Sequence, residues 1–266
     1  MTYIITGIAN VISFIGALLS KMSRDIIRLM QEYELSRLPF LKKTYETFAE
    51  SPESQWTISK EDVLRLYKLI RRDKPKKILE LGTGVGLSSA VMASALRENT
   101  VGNILSLEQS LKCIRIANEL IPQELQSFID IKHVKPAVFK ISTVSEFEYF
   151  CGYDWMPSKD SLFDFILVDG PAAWIQNKKL VTLDAGDIFR LIPYIKPGGK
   201  IFIDGRRSSA NKINRYLSRY IRILEKGDDF TIFERTNLQV SSTDALIIAD
   251  TKLSIKPSPY EELDTK

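Results

Sequence analysis

The segment Glu80-Leu81-Gly82-Thr83-Gly84-Val85-Gly86 sets a carboxylate at the mouth of a tight bend with three glycines. Glycine tolerates positive φ and, lacking a Cβ, lets a ligand lie against the main chain. A second carboxylate, Glu108, closes the next apolar run, where an acidic side chain can accept both hydroxyls of a ribose. Together they signal a cofactor that contains adenosine. A dinucleotide fingerprint asks for a glycine three residues after the second one; that position is Leu87, and the third glycine, Gly86, comes one residue early. A dinucleotide bend also cradles a pyrophosphate on free amides, and Glu80 would repel that anion. Its charge suits the ammonium of a methionine group. The electrostatics therefore favour S-adenosylmethionine over NAD, with an NAD-binding oxidoreductase as the alternative. The plainer reading is that Glu80 caps a backbone amide and binds nothing.

Asp169 and Asp204 each follow a short apolar run, Asp164 to Val168 and Lys200 to Ile203. If those runs are neighbouring strands, the two carboxylates meet where an acceptor would meet a methyl group. Methyl transfer from a sulfonium is an in-line displacement, so the protein must orient the acceptor and take its proton. In one reading Asp169 is the general base, its pKa raised by burial. In the other, Asp169 and Asp204 hold a divalent metal that acidifies the acceptor hydroxyl. Magnesium wants near-octahedral oxygen ligands, and only these two can be named, so the metal-free reading is preferred. Arg206 and Arg207 could fork onto an anionic group of the acceptor, or simply stand in water at a helix start. Trp155 and Trp174 fit either a cover over the site or plain packing. His133 reads as a hydrogen-bonded residue rather than a base.

The elements that must position these groups follow from periodicity. Residues 21 to about 50 read as helix, interrupted at Pro39, with Ile26, Ile27, Leu29, Met30, Tyr33, Leu35 and Leu38 at near-helical spacing. Residues 51 to 57 read as a loop, and Ser59 can cap a helix from Lys60 to Arg72. Short apolar runs at 77–81, 103–107, 128–134, 164–168 and 200–203 then alternate with helical segments at 87–97, 111–120, 184–195 and 209–220. Two late strands are expected at 230–234 and 245–249, as an antiparallel edge. Lys196-Pro197-Gly198-Gly199 reads as a helix stop and turn. The pattern predicts an α/β fold: a doubly wound, mostly parallel, Rossmann-like sheet of seven strands with an antiparallel edge strand, plus N-terminal helices. Ligands on such a sheet bind beyond the carboxyl ends of the strands, and four of the five strand ends carry a carboxylate.

With 266 residues, 44% of them hydrophobic and 26% charged, the chain can bury a substantial core. A net charge of +4 with no interleaved aromatic and basic stripe gives no reason to expect a nucleic acid partner. One histidine excludes a multi-histidine metal site. Two distant cysteines, Cys113 and Cys151, fit a reduced cytoplasmic protein. Residues 2–20 carry no charged side chain, and Lys21, Arg24 and Arg28 follow at once; that run is just long enough to span a bilayer with the remainder on the cytoplasmic side, and a buried or interfacial helix is the other reading. The expected organisation is an N-terminal appendage over 1–50, a main domain over 51–250 and a loose polar tail over 251–266.

The stretch Ile78-Leu79-Glu80-Leu81-Gly82-Thr83-Gly84-Val85-Gly86-Leu87-Ser88 resembles the first motif of class I S-adenosylmethionine-dependent methyltransferases. Asp164-Phe165-Ile166-Leu167-Val168-Asp169-Gly170-Pro171, Ile131 to Pro136, Tyr153-Asp154-Trp155 and Ile201 to Arg206 are similar to a bacterial subgroup of small-molecule and sugar O-methyltransferases. The resemblance covers about 55 to 250 and does not reach the first 50 residues. It implies that Glu80, Gly82, Thr83 and Gly84 meet the methionine end of the cofactor, that Ser88 and Ser89 lie near its carboxylate, and that Glu108 holds the ribose. Gln109 would lie beside the adenine, Lys135, Pro136 and Ala137 would flank its edge, and Asp169 would stand between methyl and acceptor. Gly205 follows Asp204 where metal-dependent relatives carry an amide, a departure that weakens the metal reading. The acceptor implied is a small molecule or glycan. A non-catalytic, membrane-associated binding protein with the same fold is a third reading.

Overall fold

The computed structural model of the chain describes residues 21–23, 25–52, 57–142, 147–171, 174–176, 179–181 and 183–240. Residues 2–20, the strand expected at 245–249, the tail and the Trp174 side chain lie outside the described residues. Helical backbone at 21–23 and over 25–36 (α1) leads to α2 (Pro39–Ala49), where Pro39 occupies the first turn, the one helical position at which its missing N–H costs nothing. Helix α3 (Lys60–Asp73) is capped by Ser59, whose Oγ accepts from Asp62 N at 3.1 Å. Alternation follows: β1 (Lys77–Leu81), α4 (Leu87–Asn99), β2 (Asn103–Glu108), α5 (Leu111–Leu120), α6 (Gln123–Gln126) and β3 (Ile129–His133).

From β3 the chain makes a hairpin of β4 (Pro136–Ser142) and β5 (Phe147–Tyr153) before re-entering the sheet as β6 (Phe163–Val168). A second short hairpin, β7 (Trp174–Gln176) with β8 (Lys179–Val181), precedes α7 (Asp187–Leu191) and β9 (Ile195–Asp204). The chain closes through α8 (Arg207–Leu217), β10 (Ile221–Lys226) and β11 (Phe230–Arg235). Seven strands form one sheet in the order β10-β11-β9-β6-β1-β2-β3. Neighbours from β9 to β3 are parallel, and β11 runs antiparallel between β9 and the edge strand β10.

Several expectations are corrected. The helix expected at 184–195 is shorter, one turn of α7 followed by a 3-10 turn at Ile192–Tyr194. Lys196 to Gly199 does not end an element before a strand; it bulges within β9, whose pairing to β6 jumps from Phe163↔Ile195 to Phe165↔Lys200. A bulge absorbs extra residues without ending a strand, so the same Pro-Gly-Gly signal has a different outcome. The partner of β11 at the edge is β10, inside the segment where sequence periodicity marked no strand.

Two apolar layers cover the sheet. Ile78, Ile104, Phe165, Leu167, Phe202 and Ile232 face α2, α3 and α4, whereas Leu79, Leu81, Leu107, Ile166, Val168, Ile201 and Ile203 face α7 and α8. The central strands β1, β2, β6 and β9 therefore alternate between two buried faces, which is why their sequences read as apolar runs. Helix α4 is buried on all sides from Leu87 to Leu96; its run of Ser and Ala lets α2, α3 and the sheet approach closely. Truncating Met92, which is fully buried at its centre, would cost about 2–5 kcal/mol.

Candidate active site

The registers fix where the strand-end carboxylates stand. Glu80 pairs with Ser106 on β2 and Leu167 on β6, and Leu167 pairs with Phe202 on β9. Two residues further out on the same face of the sheet come Glu108, Gly82, Asp169 and Asp204, with His133 paired to Glu108 at the end of the row. The ladder continues to that level through Gly82 N to Leu107 O at 2.9 Å and Asp169 N to Leu81 O at 2.8 Å. Asp169 and Glu108 thus flank Gly82, with Asp204 one strand beyond Asp169, and Glu80 lies one layer beneath the row.

Glu80 is fully buried. Ser88 Oγ donates to its Oε1 at 2.5 Å and Ser106 Oγ to its Oε2 at 2.5 Å, with Ser89 Oγ as a third donor. Thr83 Oγ1 shares a hydrogen bond of 2.5 Å with Ser106 Oγ. Burial pushes this carboxyl above its usual range, and the three hydroxyls oppose the shift. The structure therefore ties Glu80, Thr83, Ser88 and Ser89 to one another under the bend. An ammonium could reach Glu80 only by displacing one of those hydroxyls.

Glu108 holds the bend itself. Its Oε2 accepts from Gly84 N at 2.8 Å, and its Oε1 accepts from Gln109 N and Ser110 N, both at 2.9 Å. Burial raises its pKa; the three amides oppose that and the charge of Glu80 adds to it. Gly82, Gly84 and Gly86 all have positive φ. Gly86 serves packing: a Cβ there would lie 3.0 Å from both Ala117 and Ile121 of the α5 region. Gln109 is buried, with neither its amide oxygen nor its nitrogen hydrogen-bonded, an unusual state for an interior amide. Its carbonyl oxygen lies 3.1 Å from His133 Nε2. An open cavity of about 490 Å³ lies beside it, lined by Lys132, His133, Val134, Lys135, Asp154 and Trp155. Pro136 and Ala137 start β4 at its border, paired with Tyr153 and Gly152.

Asp169 and Asp204 end adjacent parallel strands. Burial pushes Asp169 up to about 8, aided by the negative charge of Asp204 and opposed by Arg206. Burial likewise pushes Asp204 up to about 7, with Asp62 raising and Arg206 lowering it. Arg206 Nη2 donates to the Asp169 carbonyl at 2.5 Å, while its Nε is buried without a partner. Arg207 instead turns away to the Asp228 carbonyl. Among the described residues no three His, Cys, Asp or Glu side chains gather as a metal site would need.

Several participants escaped the sequence reading. Asp62, in the first turn of α3, bonds Arg65 Nη1 at 2.7 Å and adds charge beside Asp204; a capping-box acid carries no sequence mark of a second role. Tyr153 is buried, and its hydroxyl lies 2.6 Å from where a Cβ on Gly170 would stand. Its N–H donates to both Asp187 oxygens at 3.1 Å, and its carbonyl accepts from Arg190 Nη2 at 2.8 Å. Asp187 and Arg190 also form a buried ion pair. That pair fastens the β4–β5 hairpin to α7. Trp155 is half-buried and packs on the α7 side of the core.

The model of the protein-L-isoaspartate(D-aspartate) O-methyltransferase family matches residues 17–135. The match takes in α1 and α2, which the motif resemblance did not reach. No curated protein matches the sequence. A candidate caffeoyl-CoA O-methyltransferase from Staphylococcus aureus superposes with a TM-score of 0.52 at 16% identity, covering 78% of this chain and 99% of that one. A methyltransferase from Geobacter sulfurreducens gives 0.49 at 15% identity, with 74% and 88% covered. An O-methyltransferase from Bacillus cereus in complex with SAH gives 0.45 at 17%, with 75% and 91% covered. The sheet order and the superposition show the Rossmann-like fold of class I S-adenosylmethionine-dependent methyltransferases, and the family model matches the part of the chain that carries the glycine bend.

Proposed function

We propose that the chain methylates a hydroxyl oxygen of a small molecule or glycan, with Asp169 as the proton acceptor. The observation that carries this reading is that Asp169 and Asp204 each stand one position beyond the last pair of β6 with β9, Val168↔Ile203, beside the glycine bend, with Asp169 pushed up to about 8. A carboxylate of ordinary strength is a poor base for an alcohol; one near neutrality is matched to the task.

The residues present fit the cofactor. Gln109 keeps two buried amide atoms unpartnered at one end of the row, and Arg206 keeps one at the other. Gly82, Thr83 and Gly84 would hold the methionine part, with Ser88 and Ser89 behind them. Glu108 would hold the ribose, and Gln109, Pro136 and Ala137 the adenine. When bound, S-adenosylmethionine supplies an electrophilic methyl group. Asp169 orients the acceptor hydroxyl and takes its proton, so the new ether carries no charge. Asp204 keeps Asp169 basic through its own negative charge.

The family matched in part is named for methylation at aspartyl carboxyls. A carboxylate acceptor needs no base, so a proton acceptor at Asp169 goes with a hydroxyl. Both cysteines are free, which fits a cytoplasmic setting.

The test is isothermal titration with S-adenosylhomocysteine and with NADH, followed by methyl transfer to a panel of phenolic, sugar and carboxylate acceptors. Binding of S-adenosylhomocysteine alone and transfer to a hydroxyl are expected. Preference for NADH would refute the cofactor, and transfer only to carboxylates would refute the acceptor.

A further inference from the structure

The N-terminal helix does not belong to the body it precedes. From residue 21 to residue 30 every described residue is exposed. The helix meets the domain only near its end, where Leu35 is buried and Glu32 and Glu34 pair with Lys60 and Lys68 of α3. Yet its apolar residues are ordered. Met22 is 52% exposed, Ile26 55%, Leu29 61%, Met30 61% and Tyr33 65%. At about 100° per residue these five fall on one stripe, with Ile27, 50% exposed, at its edge. Lys21, Arg28 and Glu32 fall on the other side. Large apolar stripes are not left in water without a partner.

We infer that this stripe enters the interface of an anionic lipid bilayer and seats the methyltransferase domain on a membrane surface. Two features choose lipid over a second copy of the chain. The spacing of Met22, Ile26, Leu29 and Tyr33 would also suit a two-helix seam, but such a seam needs polar flanks, and residues 2–20 immediately before it carry no charge on any side. A run of that length without charge suits hydrocarbon better than water. Charge begins at the boundary, where Lys21, Arg24 and Arg28 outnumber Asp25, the sign that anionic headgroups attract. Among the described residues no helix is long and apolar enough to cross a membrane; α1, apolar on one side and charged on the other, has the pattern of a helix that lies along a surface.

The test is flotation of the full chain with vesicles of phosphatidylcholine and phosphatidylglycerol, compared with an Ile26→Glu/Leu29→Glu double variant, alongside hydrogen exchange of residues 22–33. The native chain is expected to float, with exchange across 22–33 slowed by vesicles. The variant should partition at least about tenfold less, given the apolar area two such side chains withdraw from water. Its affinity for S-adenosylhomocysteine should be unchanged, because these residues touch nothing in the site. No flotation, flotation equal in the variant, or unslowed exchange would overturn the inference. So would a vesicle-free dimer that the variant dissociates, since it would give the stripe to a second copy.

Discussion

Gly82 and Gly170 meet backbone to backbone: a Cβ on Gly82 would stand 2.5 Å from Gly170 N, and one on Gly170 would stand 2.6 Å from Gly82 Cα. The cofactor bend and the strand end that carries Asp169 are thereby held at a fixed separation. Gly82→Ala combines that overlap with a φ of +99° and should destabilise the protein by about 3 kcal/mol or more. Gly205 also has positive φ, at +61°, but nothing within 4 Å of an added Cβ, so Gly205→Ala should cost only about 1–2 kcal/mol. Denaturant melts of the two variants check the contrast, and equal losses would show that the close approach does not matter.

Glu108 is expected to act on the bend as much as on the ribose. Glu108→Ala releases the N–H groups of Gly84, Gln109 and Ser110 together. Affinity for S-adenosylhomocysteine should fall by about tenfold or more, and stability by about 1–3 kcal/mol. Glu108→Gln keeps one acceptor oxygen and turns an amide N–H₂ toward donors, so it should rescue little. Calorimetry of all three proteins measures both effects.

The base assignment fixes a pH dependence. Asp169 accepts a proton only when ionised, so kcat/KM should climb with pH through about 8. Asp169→Asn should flatten that limb and lower the rate while leaving S-adenosylhomocysteine affinity within a few fold. A limb that persists in the variant would move the base elsewhere.

The same groups link stability to pH in the opposite direction. Asp169 and Asp204 hold protons more tightly in the folded protein than in the unfolded chain, with folded values of about 8 and about 7. The stability they confer is full below about pH 4 and is lost as pH rises through those values. Asp204→Asn should therefore raise the melting temperature relative to the native protein at pH 8–9, and by much less at pH 5. Thermal melts across that range test the sign.

The hairpin clamp makes a further prediction. Asp187→Ala leaves Arg190 buried without its counter-ion and the Tyr153 N–H without an acceptor. A loss of about 3–5 kcal/mol is expected from denaturant unfolding. A loss within the range of a surface substitution would mean that β4–β5 is not anchored there.

Strand-end carboxylates were readable because the runs before them are apolar on both faces, so Glu108, Asp169 and Asp204 mark the points at which the apolar runs stop. Their common row was not readable: it depends on register between strands far apart in sequence. The hairpin escaped notice although only residues 143–146 separate β4 from β5, because neither Phe139 nor Phe150 announces its partner. Asp187 and Arg190, three apart, look like an exposed helical pair; only the fold shows them in the interior. Glu80 was legible as an acid near the bend, but its three serine partners come from two elements, and Ser106 sits mid-strand with no local sign of its use.

His133 is the one imidazole in the chain, and it lies in the row, 3.1 Å from the carbonyl of Gln109. Its ring protons therefore give a solitary signal in a crowded aromatic spectrum, with no assignment to make. Occupancy of the proposed adenosine end can be followed by proton resonance on unlabelled protein, without a tag, a dye or an acceptor in hand.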